Sequence, residues 1–129
     1  MITVSIVSHG QSRLVSKLLN DLLHFSQISK IILIENLIRK NEIKIPREVY
    51  HKTFVIKNLN PKGFAENHNV AFNYCETDLF CVLNPDIRFS ENPFPVLMKE
   101  LKNDKIGVVA PMVIERNVVQ DNARKKPTI

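Results

Sequence analysis

An α/β fold with a mainly parallel central sheet is predicted by three observations. Short β-branched apolar runs alternate along the chain with stretches of helical periodicity, which is the signature of strand–helix–strand units. Several runs, Ile31 to Ile34 above all, are continuously apolar, as strands covered on both faces are. Polar clusters follow the runs, and in an open parallel sheet the strand ends converge on one ligand-binding edge.

Each element has its own justification. Ile2 to Val7 is the first strand and stops at Ser8-His9-Gly10. Leu14, Leu18 and Leu22 then recur every four residues, with Val15, Leu19 and Leu23 beside them, which predicts an amphipathic helix over residues 11–24 with the leucine stripe in the core. Ile31 to Ile34 is the second strand and ends at Glu35-Asn36. Residues 37–52 are mixed and charged, a loop with a short helix. Thr53-Phe54-Val55-Ile56 is the third strand. A helix follows Gly63 and runs to about Cys75, with Ala71, Tyr74 and Cys75 inward. Leu79 to Leu83 is the fourth strand, closed by Asn84-Pro85-Asp86. Asn92 can cap a helix opened by Pro93, because proline suits the first turn, and Phe94, Leu97, Met98 and Leu101 form its apolar face. Ile106 to Val109 is a fifth strand, and Met112-Val113-Ile114 pairs with Val118-Val119 across Glu115-Arg116-Asn117.

Bulk properties narrow the class. A chain of 129 residues fits one domain, 1–129, with a core of its own. Hydrophobic residues at 44% and charged residues at 24% match an ordinary soluble protein. No apolar run approaches the roughly 20 residues of a membrane span. Met1 to Val7 lacks the basic start and small-residue cleavage site of a signal peptide. Cys75 and Cys81 are expected as buried thiols rather than a disulfide, which points to the cytoplasm. A net charge of +5 favours anionic partners: a nucleotide, an acidic membrane surface or nucleic acid. Nucleic acid is disfavoured, because aromatics are only 7%, tryptophan is missing and no basic face carries interleaved rings.

Four polar clusters fall on the predicted carboxyl edge: Ser8-His9, Glu35-Asn36, Lys62-Gly63 and Asn84-Asp86. Asp86 can hold Mg²⁺ or Mn²⁺ against a diphosphate, because such ions keep several waters and need one or two carboxylates plus substrate phosphates. Asn84 is a weaker oxygen donor or an orienting group. Asn-Pro-Asp is also a common turn opener. Gly63 before a helix lets backbone N–H groups approach phosphate, Lys62 adds positive charge, and Asn67 and Asn69 can turn their amides to the site. A plain loop-to-helix junction explains the same residues. Glu35-Asn36 could bind ribose or base hydroxyls, or simply begin a loop. The four histidines form no metal-ligand spacing. Arg124-Lys125-Lys126 is either a solvated tail or a contact for phosphate or membrane.

Val4 to His9, Ile34-Glu35-Asn36, Gly63 to Asn69 and Leu83 to Asp86 together resemble the family 2 glycosyltransferases, within them the rhamnosyltransferase-like enzymes of O-antigen and polysaccharide synthesis. Ile106 to Pro111, Gln120 to Arg124 and Pro127-Thr128 fit that branch as well. The resemblance implies a GT-A fold, a three-layer sandwich that uses a nucleotide-sugar donor, dTDP-rhamnose being the one suggested, with a glycan or lipid-linked acceptor and a divalent metal. It maps Asp86 onto the last acid of the family's metal-binding motif, with Asn84 where an aspartate is common. It sets Glu35 and Asn36 against the nucleoside, and Gly63, Asn67 and Asn69 along the donor site. The acceptor half of such enzymes would follow where this chain ends. An inverting transfer needs a carboxylate base; Glu115 and Asp121 are available, but neither is assigned. The rival expectations are a catalytically inactive remnant, a subunit of a split enzyme, and, from another class, a basic nucleic-acid-binding module. An unfinished domain would leave apolar surface exposed, hence self-association; peripheral contact with the inner membrane is a separate expectation, in keeping with the positive charge.

Overall fold

The computed structural model describes residues 1–37, 42–116 and 118–119. The chain divides into two compact units, Met1–Glu91 and Asn92–Ile129.

The first unit is built on a four-stranded sheet, β1 (Ile2–Ser8), β2 (Ile28–Glu35), β3 (Thr53–Lys57) and β4 (Leu79–Leu83), in the order β3-β2-β1-β4 with every pairing parallel. Strand β1 is central and buried throughout. Side chains alternate across a strand, so Val4 and Ile6 face one side of the sheet while Thr3, Ser5 and Val7 face the other. The first side is covered by α1 (Ser12–Asp21) and a 3₁₀ turn at Leu22–His24, with Val15, Leu18, Leu19 and Leu22 fully buried. The second carries α3 (Phe64–Phe72), where Ala71 joins Val7, Ile32 and Ile34 in one apolar cluster. Between β2 and β3 lies a single turn of helix, α2 (Arg47–Tyr50), anchored by the buried Val49. The result is an α/β sandwich of the GT-A-like kind, with helices on both faces of a parallel sheet.

The polar residues of β1 are satisfied from the α3 side. Thr3 Oγ1 lies 2.9 Å from Thr77 Oγ1, and Ser5 Oγ lies 2.8 Å from Nδ1 of the buried His68. A central strand can carry hydroxyls only where such partners exist.

The second unit contains α4 (Phe94–Glu100) and a short antiparallel pair, β5 (Ile114–Glu115) and β6 (Val118–Val119). Pro93 occupies the N-cap itself, so Asn92, expected as the cap, lies one residue before it, although the Phe94 N–H still donates to Asn92 Oδ1 at 3.0 Å.

Four expectations are corrected. Ile106 to Val109 forms no strand: no ladder pairs with it among the described residues, and Val108 is 87% exposed. The hairpin begins at Ile114, not Met112. Leu14 lies outside the core, at the solvent edge of the α1 stripe. Helix α3 stops at Phe72, so Tyr74 is exposed and Cys75 lies beyond the helix. Both cysteines are free and half-buried, and burial pushes the Cys81 thiol up to about 11. Arg124 to Lys126, Asp121 and the segment 120–129 lie outside the described residues.

Candidate functional site

The strand order reverses beside β1: the chain passes outward to β2 and β3, then returns to the other side as β4. In open parallel sheets the crevice at such a reversal, outside the carboxyl ends, is where ligands bind. A cleft of about 420 Å³ opens there, within the usual range for a small-molecule site. Its walls include His9 from the tip of β1, Asn36 from the tip of β2, Lys62, Phe64 and Asn67 from the entry to α3, and Asn84, Pro85 and Asp86 from the tip of β4.

Local sequence explains each tip. β1 turns into α1 through Gly10, whose φ of 81° suits glycine because it has no Cβ to clash. Ser8 and Gln11 clasp that turn, the Gln11 N–H donating to Ser8 Oγ at 3.2 Å and the His9 N–H to Gln11 Oε1 at 2.9 Å. β2 ends where the Asn36 N–H donates to the Ser8 carbonyl at 2.8 Å, extending the ladder one residue beyond the strand.

One wall of the cleft is a network of amides. Asn36 Oδ1 accepts from the Lys62 N–H at 2.7 Å and from Asn58 Nδ2 at 2.8 Å. Asn36 Nδ2 donates to the Lys62 carbonyl at 2.9 Å and lies 3.0 Å from His9 Nδ1. Asn58 Nδ2 also donates to Asn67 Oδ1 at 2.7 Å, and Asn67 Nδ2 donates to the carbonyls of Lys62 and Gly63 at 3.2 and 2.9 Å. The loop between β3 and α3 is thus stitched to the end of β2 by three asparagines. Asn36 and Asn67 are almost fully buried, where unpaired amides would be costly.

The opposite wall is different in kind. Asn84 and Asp86 are exposed, and their side chains have no hydrogen bond or ion pair among the described residues. The segment behind them is tied down by Arg88, whose guanidinium forks onto the Asp21 carboxylate at 2.5 and 2.7 Å. That bond holds the Asp21 carboxyl below its ordinary value of 3.8. Phe89 packs edge-on against Phe25, with ring centroids 5.4 Å apart.

Of the residues singled out in the sequence, His9, Asn36, Lys62, Asn67, Asn84 and Asp86 meet in this one cleft. Ser8, Glu35, Gly63 and Asn69 are not part of its lining. Ser8 is buried in the turn, Glu35 faces Lys57 at 4.0 Å on the neighbouring strand, and Asn69 is exposed. Gly63 has an ordinary φ of −66°, and a Cβ there would meet nothing within 4 Å, so the space beside this loop is open. Glu115 belongs to β5 of the second unit.

Gln11, Phe64 and Asn58 were missed. Asn58 directly follows β3, so the strand-end pattern extended to the third strand would have found it. Phe64 lies within the Gly63-to-Asn69 cluster but carries no polar signal; its ring meets His68 edge-on at 4.4 Å.

Among the described residues no three His, Cys, Asp or Glu side chains gather as a metal site. One carboxylate with one amide fits a cation that arrives with a diphosphate and keeps its waters, and does not fit a cation caged by protein. No described helix is long and apolar enough to cross a membrane.

A search of curated proteins finds no match to the chain. The family model for glycosyl transferase family 2 matches residues 3–128, from the first strand through all four cleft-forming tips. Covering nearly the whole sequence, that match makes the chain a member of glycosyl transferase family 2.

Proposed function

We propose that this chain carries the donor-binding site of an inverting glycosyltransferase and that the cleft takes a nucleoside-diphosphate sugar. The observation that carries the reading is the meeting of Asp86 with His9, Asn36 and Lys62 around one cleft at the strand reversal. Asp86, helped by Asn84, would hold Mg²⁺ or Mn²⁺ against the diphosphate. A bound cation there would neutralise charge on the leaving group. Lys62, though paired with Glu66 at 3.4 Å, is exposed enough to turn to an anion. The donor favoured by the rhamnosyltransferase-like motifs is dTDP-rhamnose, with a glycan or lipid-linked acceptor in polysaccharide synthesis at the inner face of the cell membrane.

Calorimetry with dTDP, UDP and GDP, with and without Mn²⁺, tests this on the wild type and on Asp86→Ala. Metal-dependent binding of at least one nucleotide is expected, weakened about tenfold by the substitution, the scale of one charge-assisted contact. Binding indifferent to both metal and Asp86 would remove the site assignment.

A further inference from the structure

The amide of Asn36 is fixed in orientation by backbone atoms at both ends. Its Oδ1 receives the Lys62 N–H, and its Nδ2 faces the Lys62 carbonyl. A backbone N–H can only donate and a carbonyl only accept, so turning the amide over would set like against like twice. Asn58 reinforces this orientation with a second donor on Oδ1. One proton of Asn36 Nδ2 is left, and it points at His9 Nδ1, 3.0 Å away. An amide nitrogen offers no lone pair, so Nδ1 must be the acceptor. A neutral imidazole that accepts at Nδ1 carries its proton on Nε2. His9 lines the cleft, and its Nε2 has no hydrogen-bond partner among the described residues.

We infer that Asn36 locks His9 in the Nε2–H tautomer, making the tip of β1 a fixed neutral donor for an acceptor oxygen of the bound nucleoside diphosphate. The inference rests on the cleft binding such a nucleotide. Asn36 is then a positioning residue: it touches the ligand's recognition through His9, by deciding which ring nitrogen bears the proton. A donor held in one tautomer favours an oxygen at that spot and rejects an amino group, because two donors facing each other would each be left unpaired. Two parts of the ligand carry such oxygens, the phosphoryl groups and the carbonyls of a pyrimidine base.

The test is a long-range ¹H–¹⁵N spectrum of the histidine rings in the full chain, recorded free and with UDP, inorganic pyrophosphate or uridine, each in the presence of Mg²⁺. In the free protein His9 is expected with Nδ1 bare and Nε2 protonated. UDP should shift the Nε2 signal, and whichever of pyrophosphate or uridine reproduces that shift identifies the oxygen as phosphoryl or base. Asn36→Asp places a carboxylate oxygen where Nδ2 stood, so the proton should move to Nδ1 and UDP affinity should fall about tenfold, the worth of one hydrogen bond. His9→Gln, whose amide nitrogen can still donate, should stay within about threefold of wild type, whereas His9→Glu should lose about tenfold or more. If Asn36→Asp does not fold, that pair of His9 variants decides by itself.

A proton found on Nδ1 of the free wild type would overturn the tautomer lock. UDP binding with no response at His9, or equal affinities for the Gln and Glu variants, would overturn the donor role while leaving the nucleotide site standing. Failure of UDP, dTDP and GDP all to bind would overturn the nucleotide site and the donor role together.

Discussion

The two walls of the cleft differ in how completely each satisfies itself. On the β2–α3 side, Asn36, Asn58 and Asn67 spend their amides on one another and on the backbone of Lys62 and Gly63. On the β4 side, Asn84 and Asp86 have no such partners among the described residues. The first wall is therefore a stability device, with His9 at its rim. The second leaves a carboxylate in water with no structural partner, free to meet a ligand in the proposed reading. The proposed metal–diphosphate site would need such rigid scaffolding beside an unpaired charge, its geometry set before the ligand arrives.

Three experiments press on that contrast. The largest effect is expected from Asn67→Ala, which deletes three hydrogen bonds of a side chain that is 1% exposed. Urea unfolding should show a loss of roughly 2–3 kcal/mol. A loss below about 0.5 kcal/mol, the scale of ordinary surface substitutions, would mean the amide wall is not structural.

The next concerns acid. Burial holds the His68 imidazole below its ordinary value of 6.5, and Nε2 is buried without a partner among the described residues. The unfolded chain thus binds a proton at His68 more readily than the folded one, so stability falls as pH drops through about 6.5 toward the lower folded value. Since His68 lies under Phe64 and against Ser5, the α3 wall should loosen first. Thermal midpoints measured from neutral pH downward should decline, and His68→Asn, which cannot titrate, should flatten that decline. The other three histidines are exposed and do not share this burial. An identical slope in both proteins would exclude His68 as the source.

Asp86→Asn should have the smallest effect on folding. Its side chain has no partner to lose, so the unfolding free energy should change by less than about 0.5 kcal/mol even where nucleotide binding suffers. A destabilisation of 2 kcal/mol or more, on the scale of a lost buried contact, would place Asp86 among the structural residues and erase the distinction between the walls.

Much of this was legible in the chain. The four strands of the parallel sheet, the helix after residue 11 and the helix after Gly63 follow from apolar runs and periodicity, because those patterns reflect which face must be buried. Asp86 stood out as a carboxylate in the turn that closes the fourth apolar run, a place that an ordinary Asn-Pro-Asp turn explains equally well. Ile106 to Val109 failed the same rule, since an apolar run becomes a strand only where another backbone offers it a ladder. Leu14 kept its helical position but not its burial, because periodicity specifies a stripe and packing specifies its width.

The sequence by itself determined the α/β class, the order of the elements from β1 to α4 and the polar residues gathered at the strand ends, all of which are local consequences of hydrophobic pattern and turn chemistry. Only the tertiary structure decided that Asn36 and Asn67 turn inward to hold a loop while Asp86 faces the open cleft. Hydrogen-bond partners distant in the chain, such as Asn36 and Lys62 or Ser5 and His68, meet only once the strands have paired. An amide is drawn to whichever buried donor or acceptor would otherwise go unpaired, and that is a property of the assembled sheet rather than of neighbouring residues.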